Sequence, residues 1–208
     1  MKLTRLFVFI VKNEVYFSLH KKQCCNFLAF TKENAIFAIM KKIGIISDTH
    51  AYWDPKYEIY LGQCDEIWHA GDIGSVELAD KFEAMPPIFR AVYGNCDGYD
   101  LRARYNEILR FKCEEVEVMI KHIGGYPGRY DASIRHQLYS APPDLFISGH
   151  SHILKIMPDK KLGLLHINPG AAGMMGWQKE RTLVRLTIDG SEMKDCEVVT
   201  LGKNNTPL

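Results

Sequence analysis

The sequence predicts an α/β fold, and three observations support this class. After Met40 the chain consists of apolar runs of only four to seven residues, each of which stops at a polar cluster. Helix-like segments separate several of these runs in the first half of this region. The second half is mostly strand-like, so we expect strands to alternate with helices first and to follow one another later.

The predicted strands are short and rich in β-branched and aromatic residues. Six of them cover residues 43–47, 66–70, 88–93, 115–121, 145–148 and 164–167. Residues 109–112 and 116–120 are predicted to form a hairpin, because two such runs lie on either side of a short polar connection. Residues 181–188 and 197–201 are predicted as closing strands.

Three segments are predicted as helices. Residues 75–84 begin with Ser75 as an N-cap and carry an apolar stripe at helical spacing. Residues 54–61 carry Pro55 at the first helical position, where its missing N–H costs nothing. Residues 131–139 form the third predicted helix.

The first 39 residues differ in charge from the rest. They carry a net charge of +4, whereas residues 40–208 carry −3, within a chain of 208 residues and net charge +1. This length suits one sizeable core. We expect one domain over residues 40–208 and an N-terminal extension over residues 1–39. The extension is expected to be poorly packed or disordered, and Met40 to be the natural start.

Targeting and membrane signals are weak. No apolar stretch reaches the ~18 residues of a spanning helix, so we expect no membrane contact. A signal peptide is the alternative at the N-terminus, because Lys2 and Arg5 precede the apolar residues 6–11, but this run is shorter than the ~7–15 residues required. The six cysteines form no C-x-x-C pair, which argues against a zinc knuckle and favours buried, reduced thiols in a cytoplasmic protein.

Side chains suited to metal binding follow the predicted strands directly. Ligands of open α/β sheets bind beyond the carboxyl ends of the strands, so turns far apart in sequence can converge there. Four of the seven histidines after Met40 lie in these turns. Together with two aspartates and one asparagine they form the candidate ligand set Asp48, His50, Asp72, Asn95, His122, His150 and His152.

This ligand set indicates two metal ions. Seven N and O donors are too many for one tetrahedral zinc and suit two ions that share a carboxylate. His150 and His152 are spaced i and i+2, so both rings would face one ion on an extended segment. Without cysteine ligands, Mn²⁺, Fe or Zn²⁺ is favoured. Two divalent ions and two aspartates leave the site with a net charge of about +2, which suits a phosphate ester as substrate.

Taken singly, each motif also fits a simpler role. Asp-x-His and Gly-Asp occur in ordinary turns, and Gly94 before Asn95 suits a residue that needs positive φ. As an ordered set, however, the motifs resemble the calcineurin-like metallophosphoesterase superfamily. The motifs are Asp48-Thr-His50, Gly71-Asp72, Gly94-Asn95, His122 and Gly149-His150-Ser-His152.

The resemblance runs from Met40 to the C-terminus. The short length, Gly94-Asn95-Cys96-Asp97 and Ile167-Asn168-Pro169-Gly170 are similar to the small bacterial and archaeal phosphodiesterase branch. This resemblance implies a four-layer sandwich of two mixed β-sheets flanked by helices. It also implies a metal-dependent phosphoesterase. The favoured activity is that of a phosphodiesterase, which hydrolyses small phosphate esters with a water or hydroxide that bridges two metal ions.

The resemblance implies a role for each candidate residue. A first metal ion would be held by Asp48, His50, Asp72 and His152. Asp72 would bridge to the second ion, which Asn95, His122 and His150 would complete. The residues implied in catalysis are Asp48, His50, Asp72, Asn95 and His150. The implied cofactors are two divalent ions, for which Mn²⁺ is favoured and Ni²⁺, Fe, Co²⁺ or Zn²⁺ are the alternatives. The resemblance also implies a homodimer.

Two features depart from the family pattern. Many larger relatives have Gly-Asn-His-Glu, whose histidine is taken as the general acid, where this chain has Cys96 and Asp97. A thiol with an ordinary pKa of about 8.5 is a poor proton donor. We therefore expect a preference for good leaving groups, or another donor such as Asp97, which could equally orient Asn95. A glycine-rich loop follows His122, in which Arg129 either contacts a phosphate or pairs with Asp131.

Several other residues have simpler predicted roles. His69 and His166 are predicted to be structural, and His136 to be solvated on a helix. Residues 174–177 are either a lid facing the substrate or a subunit contact. Trp53 either lines the mouth of the site or packs in the core.

Two other functions compete with the enzyme. The first is a non-catalytic interaction module similar to the scaffold subunit of the retromer coat, which has lost site histidines, whereas no ligand position is replaced here. The second is a nuclease. Residues 40–208 carry a net charge of −3 and no basic stripe with interleaved aromatic residues, which argues against extended nucleic acid and leaves a nucleotide-sized diester open.

Overall fold

A computed structural model describes residues 6–11, 14–19, 28–30 and 40–204, and only the backbone of the first three ranges. The chain divides into two units, Met1–Ile39 and Met40–Leu208. The first unit contains an antiparallel sheet of strands β1 (Leu6–Val11), β2 (Glu14–Leu19) and β3 (Leu28–Phe30). Three predictions concern residues that lie largely outside the described ones, and they stay predictions. They are Met40 as the natural start of the chain, a disordered N-terminal extension, and the alternative of a signal peptide.

The five strands of the first of two five-stranded sheets all correspond to predicted strands. Its strands are β4 (Lys41–Ile46), β5 (Glu66–His69), β6 (Ile88–Ala91), β14 (Glu180–Asp189) and β15 (Glu192–Lys203). Their order is β15-β14-β4-β5-β6. Strands β4, β5 and β6 are parallel, whereas β14 runs antiparallel to both of its neighbours.

The second sheet is also mixed. Its strands are β7 (Ile108–Cys113), β8 (Val116–Lys121), β11 (Leu145–Ile147), β12 (Lys155–Asp159) and β13 (Leu164–Asn168). They lie in the order β12-β13-β11-β8-β7, with β8, β11 and β13 parallel. A separate two-stranded ribbon of β9 (Gly125–Tyr126) and β10 (Arg129–Tyr130) follows β8.

Four helices accompany the sheets in the described part of the second unit. They are α1 (Lys56–Leu61), α2 (Val76–Glu83), α3 (Tyr99–Arg104) and α4 (Ala132–Ser140). Ser75 caps α2 as predicted, accepting a hydrogen bond from Leu78 N at 3.2 Å. Pro55 lies one position earlier than predicted, at the N-cap of α1. Within the described residues, no helix is long and apolar enough to cross a membrane.

Several elements were missing from the sequence prediction, among them helix α3, strand β12 and the ribbon of β9 and β10. Helix α3 buries only Leu101, so it has no apolar stripe to detect. Strand β12 is an edge strand that contains Pro158, and its exposed and part-buried residues give a weak signal.

Three apolar clusters divide the domain into four layers. Side chains such as Ile45 of the first sheet and Ile147 of the second form the cluster between the sheets. Helices α1 and α2 cover the other face of the first sheet, where Phe82 packs with Ile67. Helix α4 covers the second sheet through Ile134 and its neighbours. The predicted four-layer sandwich of two mixed sheets flanked by helices is confirmed.

The prediction of buried cysteines was wrong for most of the described thiols. Cys113 is buried, Cys64 is half-buried, and Cys96 and Cys196 are exposed; all four are free. Cys96 is exposed because it lies on a loop beyond β6, and Cys196 because it lies on the edge strand β15. Cys24 and Cys25 lie outside the described residues.

Candidate metal centre

The loops that follow the parallel strands of both sheets meet at one site. The loop after β4 is hydrogen-bonded to the loop after β5, with Asp48 N donating to Gly71 O and His50 N donating to Asp72 O, both at 3.0 Å. The loop after β11 is joined to the loop after β8, with Gly149 N donating to His122 O, also at 3.0 Å. These bonds bring residues from distant parts of the sequence together.

The backbone at this site lies in an unfavourable conformation. Five of the seven candidate ligands have positive φ: Asp48 (54°), His50 (46°), Asp72 (55°), His150 (66°) and His152 (58°). Left-handed backbone is uncommon for residues with side chains and collects at functional sites. His150 and His152 therefore lie in a left-handed turn. The predicted extended segment was wrong, because β11 ends at Ile147.

Two glycines of the motifs are required for close approach. A Cβ on Gly94 would lie 2.1 Å from Asp72 Oδ1, and a Cβ on Gly149 would lie 2.1 Å from Ser47 Oγ. Neither has positive φ, and neither does Asn95, so the predicted reason for Gly94 was wrong. The missing side chains let these loops pack directly on the carboxylates.

Each aspartate binds the protein with one oxygen and faces the site with the other. Asp48 Oδ2 accepts hydrogen bonds from Ser47 Oγ at 2.6 Å and from His150 N at 3.1 Å. Asp72 Oδ1 accepts one from Cys96 N at 2.8 Å. Asp48 Oδ1 is buried without a hydrogen-bond partner in the described structure. The fixed oxygens orient the carboxylates, which leaves the others available for a cation.

Two imidazoles are oriented in the same way. His122 Nδ1 lies 2.7 Å from the carbonyl of Ala70, which can only accept, so Nδ1 carries the proton. His152 Nδ1 lies 3.0 Å from Gln178 Oε1, and the amide group of Gln178 is occupied by the carbonyl of Met175. Both Nε2 atoms therefore present a lone pair to the site.

The free donor atoms converge at separations suited to one or more shared ions. His152 Nε2 lies 3.2 Å from Asp48 Oδ1, and His122 Nε2 lies 3.2 Å from Asp72 Oδ2. His50 Nε2 lies 3.3 Å from His152 Nε2. Ligands about 2.1 Å from one metal ion stand about 3 Å apart from each other.

The burial of two of these donor atoms also indicates a bound cation. His122 Nε2 and Asp48 Oδ1 are buried, and neither makes a hydrogen bond within the described structure. A buried polar atom without a partner is costly unless an ion or water completes it. The residues present thus fit a divalent cation, with donor groups Asp48–His50–His152 and Asp48–Asp72–His122 each within 4.8 Å.

Asn95 and His150 lie farther out. Both are exposed and line the same cavity of about 630 Å³ that His50, Asp72 and His152 line. The His150 ring stands 5.3 Å from the His122 ring, centroid to centroid. The structure therefore brings five candidate ligands into direct contact and places the other two at the wall of their cavity.

Two opposing effects set the pKa values of the histidines: burial lowers them, and the nearby carboxylates raise them. Burial lowers the pKa of His50, despite the opposing charges of Asp48 and Asp72. Burial also acts to lower the pKa of His122, but Asp72 and Asp48 outweigh it and raise the pKa. Asp48 likewise raises the pKa of His152 against burial. These carboxylates attract a cation, whether a proton or a metal ion.

Cys96 and Asp97 differ in role. Cys96 is exposed as a residue, but partial burial of its thiol, followed by contact with Asp72, raises the pKa of the thiol to about 11. The carboxylate of Asp97 is buried and accepts hydrogen bonds from Gly74 N and Gly94 N, both at 2.7 Å. Asp97 therefore holds the loops together and is poorly placed to donate a proton.

Two positioning residues were missing from the sequence prediction. Gln178 orients His152 at a sequence separation of 26. Arg102 donates from Nε to Asp97 O at 2.7 Å and from Nη2 to Asn95 O at 3.0 Å, which fixes the loop after β6. No local motif marks either residue.

The remaining predictions are resolved by burial. His69 is fully buried and hydrogen-bonded and His136 is exposed, as predicted, whereas His166 is fully buried but makes no hydrogen bond within the described residues. Trp53 packs on Tyr57, at 5.5 Å between ring centroids, and so contributes to the core. In residues 174–177, Met175 and Trp177 are exposed and line the cavity of the metal centre, and the two roles of this segment, a lid or a subunit contact, stay predictions.

Comparison with known families and sequences identifies similar proteins. The model of the calcineurin-like phosphoesterase superfamily domain matches residues 40–191. A probable metallophosphoesterase of Methanothermobacter thermautotrophicus is 29% identical over 171 residues, which cover 77% of this chain and 92% of the relative. A phosphodiesterase of Methanocaldococcus jannaschii is 27% identical over 146 residues, which cover 62% of this chain and 82% of the relative.

Solved structures share the fold. An archaeal phosphodiesterase matches with a TM-score of 0.60 at 24% identity, over 77% of this chain and 99% of its own. A Vps29 variant from Entamoeba histolytica also matches with a TM-score of 0.60, at 19% identity over 77% and 99% of the two chains. These likenesses establish the shared fold.

Proposed function

Because the chain belongs to the calcineurin-like phosphoesterase superfamily, we propose that it is a phosphodiesterase that acts on small phosphate esters. We propose that two divalent ions, Mn²⁺ first, bind at the candidate metal centre. Asp48, His50, Asp72 and His152 would hold one ion, and Asp72 would bridge to a second held by Asn95, His122 and His150.

One observation carries this proposal. Oxygens of Asp48 and Asp72 and the Nε2 atoms of three histidines converge at 3.2–4.0 Å, and the hydrogen bonds of His122 and His152 leave their Nε2 lone pairs free. Their other polar atoms are largely committed to hydrogen bonds with the protein, so the arrangement is held before a cation arrives. A phosphatase fold without metal chemistry has no need of such a preformed cluster.

The charges of the site suit a phosphate ester. Two divalent ions, when bound, supply Lewis-acid activation of the phosphoryl group and a water nucleophile near neutral pH. Asp48 and Asp72 offset only part of their charge, so the site attracts an anion. His150 and Asn95 line the cavity next to this cluster, where a phosphate ester bound to the metal ions would lie.

The test is hydrolysis of bis-p-nitrophenyl phosphate by chelator-stripped protein, before and after addition of Mn²⁺. We expect turnover only with metal, and its loss in the His122→Ala and Asp72→Asn variants. Bound metal, counted by mass spectrometry, should fall in the same variants. His136→Ala is the matched control, because this exposed helix histidine lies outside the site.

Absence of turnover with Mn²⁺, Ni²⁺, Co²⁺ or Zn²⁺, despite bound metal, would contradict the enzyme. That outcome would favour the alternative, a non-catalytic protein-interaction scaffold on the same fold. The donor set supports the enzyme, because none of the seven candidate ligand positions is replaced.

A further inference from the structure

A second recess lies beside the candidate metal centre. It has a volume of about 280 Å³, and His150 lines both it and the metal-centre cavity. The ribbon of β9 and β10 contributes Tyr126 and Arg129, and the two edge-side strands of the second sheet contribute Lys155 and His166. The recess is thus continuous with the place where a phosphate ester would be bound.

The recess carries more positive than negative charge. Within the described residues, neither Arg129 nor Lys155 forms an ion pair, and Lys155 Nζ instead stands 3.4 Å from the centroid of the Tyr126 ring. The carboxylate that lines the recess is Asp131, which caps α4 by accepting from Ser133 N at 2.9 Å. The predicted pair of Arg129 with Asp131 is not formed, so both cations remain available.

A buried histidine points to a ligand in this recess. His166 is fully buried, and neither ring nitrogen makes a hydrogen bond within the described structure. The backbone of Phe146, which pairs with His166 across the two strands, is close enough to act against burial on the pKa of the ring. Burial lowers the pKa of His166 to about 4, so the neutral ring keeps one N–H that can donate to a bound group.

We propose that this recess binds a second anionic group of the substrate, held by Arg129, Lys155 and His166. The inference rests on the proposed function. It narrows the substrate class to phosphodiesters whose retained alcohol carries a carboxylate or a further phosphate close to the scissile phosphorus. A bidentate guanidinium, an ammonium and a neutral N–H donor together match the oxygens of such a group.

The test compares two substrates with the same leaving group and chain length. They are p-nitrophenyl 2-carboxyethyl phosphate and p-nitrophenyl propyl phosphate, which differ in the terminal anion. With Mn²⁺-loaded protein we expect KM to be at least about tenfold lower for the carboxylate ester, because charge-assisted hydrogen bonds add to its binding. Added salt should reduce this ratio.

Variants assign the effect to the recess. Arg129→Gln and Lys155→Gln should each bring the KM ratio of the two esters towards one, and Arg129→Lys should retain part of the preference. Lys160→Gln is the matched control, because this exposed lysine lies beyond the far end of β12, outside the recess. It should leave the KM ratio unchanged.

Calorimetry provides a readout independent of turnover. 2-Carboxyethyl phosphate should bind the metal-loaded protein more tightly than propyl phosphate, and Lys155→Gln should remove the difference. Equal KM values in the unaltered protein, or a ratio that survives in both glutamine variants, would overturn the recess proposal alone. Failure to hydrolyse either ester with any metal would instead overturn the proposed function.

Discussion

Arg181 Nη2 donates to Asp54 Oδ2 at 2.7 Å, and the two side chains are only 7% and 8% exposed. The pair connects the start of α1 to β14 across 127 residues of sequence. Arg181 Nη1 also donates to the carbonyl of Ala172, at 3.1 Å, and the hydroxyl of Tyr57 donates to the same oxygen. This network fixes the loop between β13 and β14 next to the metal centre.

Removing one partner of this pair should destabilise the fold. We expect Asp54→Ala to lower the free energy of unfolding by about 3 kcal/mol, because it leaves the guanidinium of Arg181 buried without its counter-charge. Urea unfolding measures the change. Glu197→Ala is the control, since its pair with Arg185 is exposed and should contribute less than about 1 kcal/mol. Equal losses in the two variants would contradict the role of the buried pair.

Gln178→Ala should weaken metal binding without removing a ligand. The variant loses the hydrogen bond that fixes His152 Nδ1, so its ring becomes free to rotate. We expect metal affinity to fall about 10–100-fold, as for other residues that orient a ligand. Competition with a chelator of known affinity measures it. Gln137→Ala, on the exposed side of α4, is the control, and unchanged affinity in Gln178→Ala would show that His152 is held by other contacts.

Cys96→His should improve the hydrolysis of esters with poor leaving groups. The thiol pKa of about 11 makes Cys96 a weak proton donor at neutral pH. An imidazolium at this position could protonate the departing alkoxide, and we expect at least about a tenfold gain in kcat/KM on an alkyl diester. The rate on bis-p-nitrophenyl phosphate should change little, because p-nitrophenolate leaves without protonation. No gain on the alkyl diester would show that another group already supplies the proton.

Acidification should destabilise the protein through buried histidine. His166 has a pKa of about 4 in the folded state, lowered by burial from 6.5. The contribution of His166 to the free energy of unfolding is fully present above pH 6.5, where the ring is neutral in both the folded and the unfolded state. It is lost as the pH falls towards 4, because only the unfolded chain gains the proton. From pH 7 to pH 5 this amounts to about 2 kcal/mol.

Urea unfolding of His166→Phe at the two pH values tests the assignment. The variant should lose less stability than the unaltered protein over this interval, while His136→Ala should behave as the unaltered protein does, because His136 is exposed. His69, whose pKa is also lowered to about 4 by burial, keeps its own share of the pH dependence in every variant. An identical pH dependence in His166→Phe would contradict a neutral buried ring.

Local patterns explain which parts of the fold were predictable. Strand β4 alternates Ile43 and Ile45 towards the second sheet, and helix α2 has both its cap and its apolar stripe within eight residues. These signals depend on neighbours in sequence. The exposed helix α3 and the edge strand β12 lack them, and were missed.

The sequence by itself determined the α/β class, the positions of most strands along the chain and the residue types of a site for divalent cations. Only the tertiary structure decided how those residues are held. The carbonyl that orients His122 belongs to Ala70, which lies 52 residues earlier in the sequence. Gln178, which orients His152, lies 26 residues later in the sequence. The left-handed turns at the ligands and the recess beside His150 also depend on distant loops. Periodicity and capping are local, whereas these hydrogen bonds and cavities exist only after the order of strands in both sheets has brought the loops together.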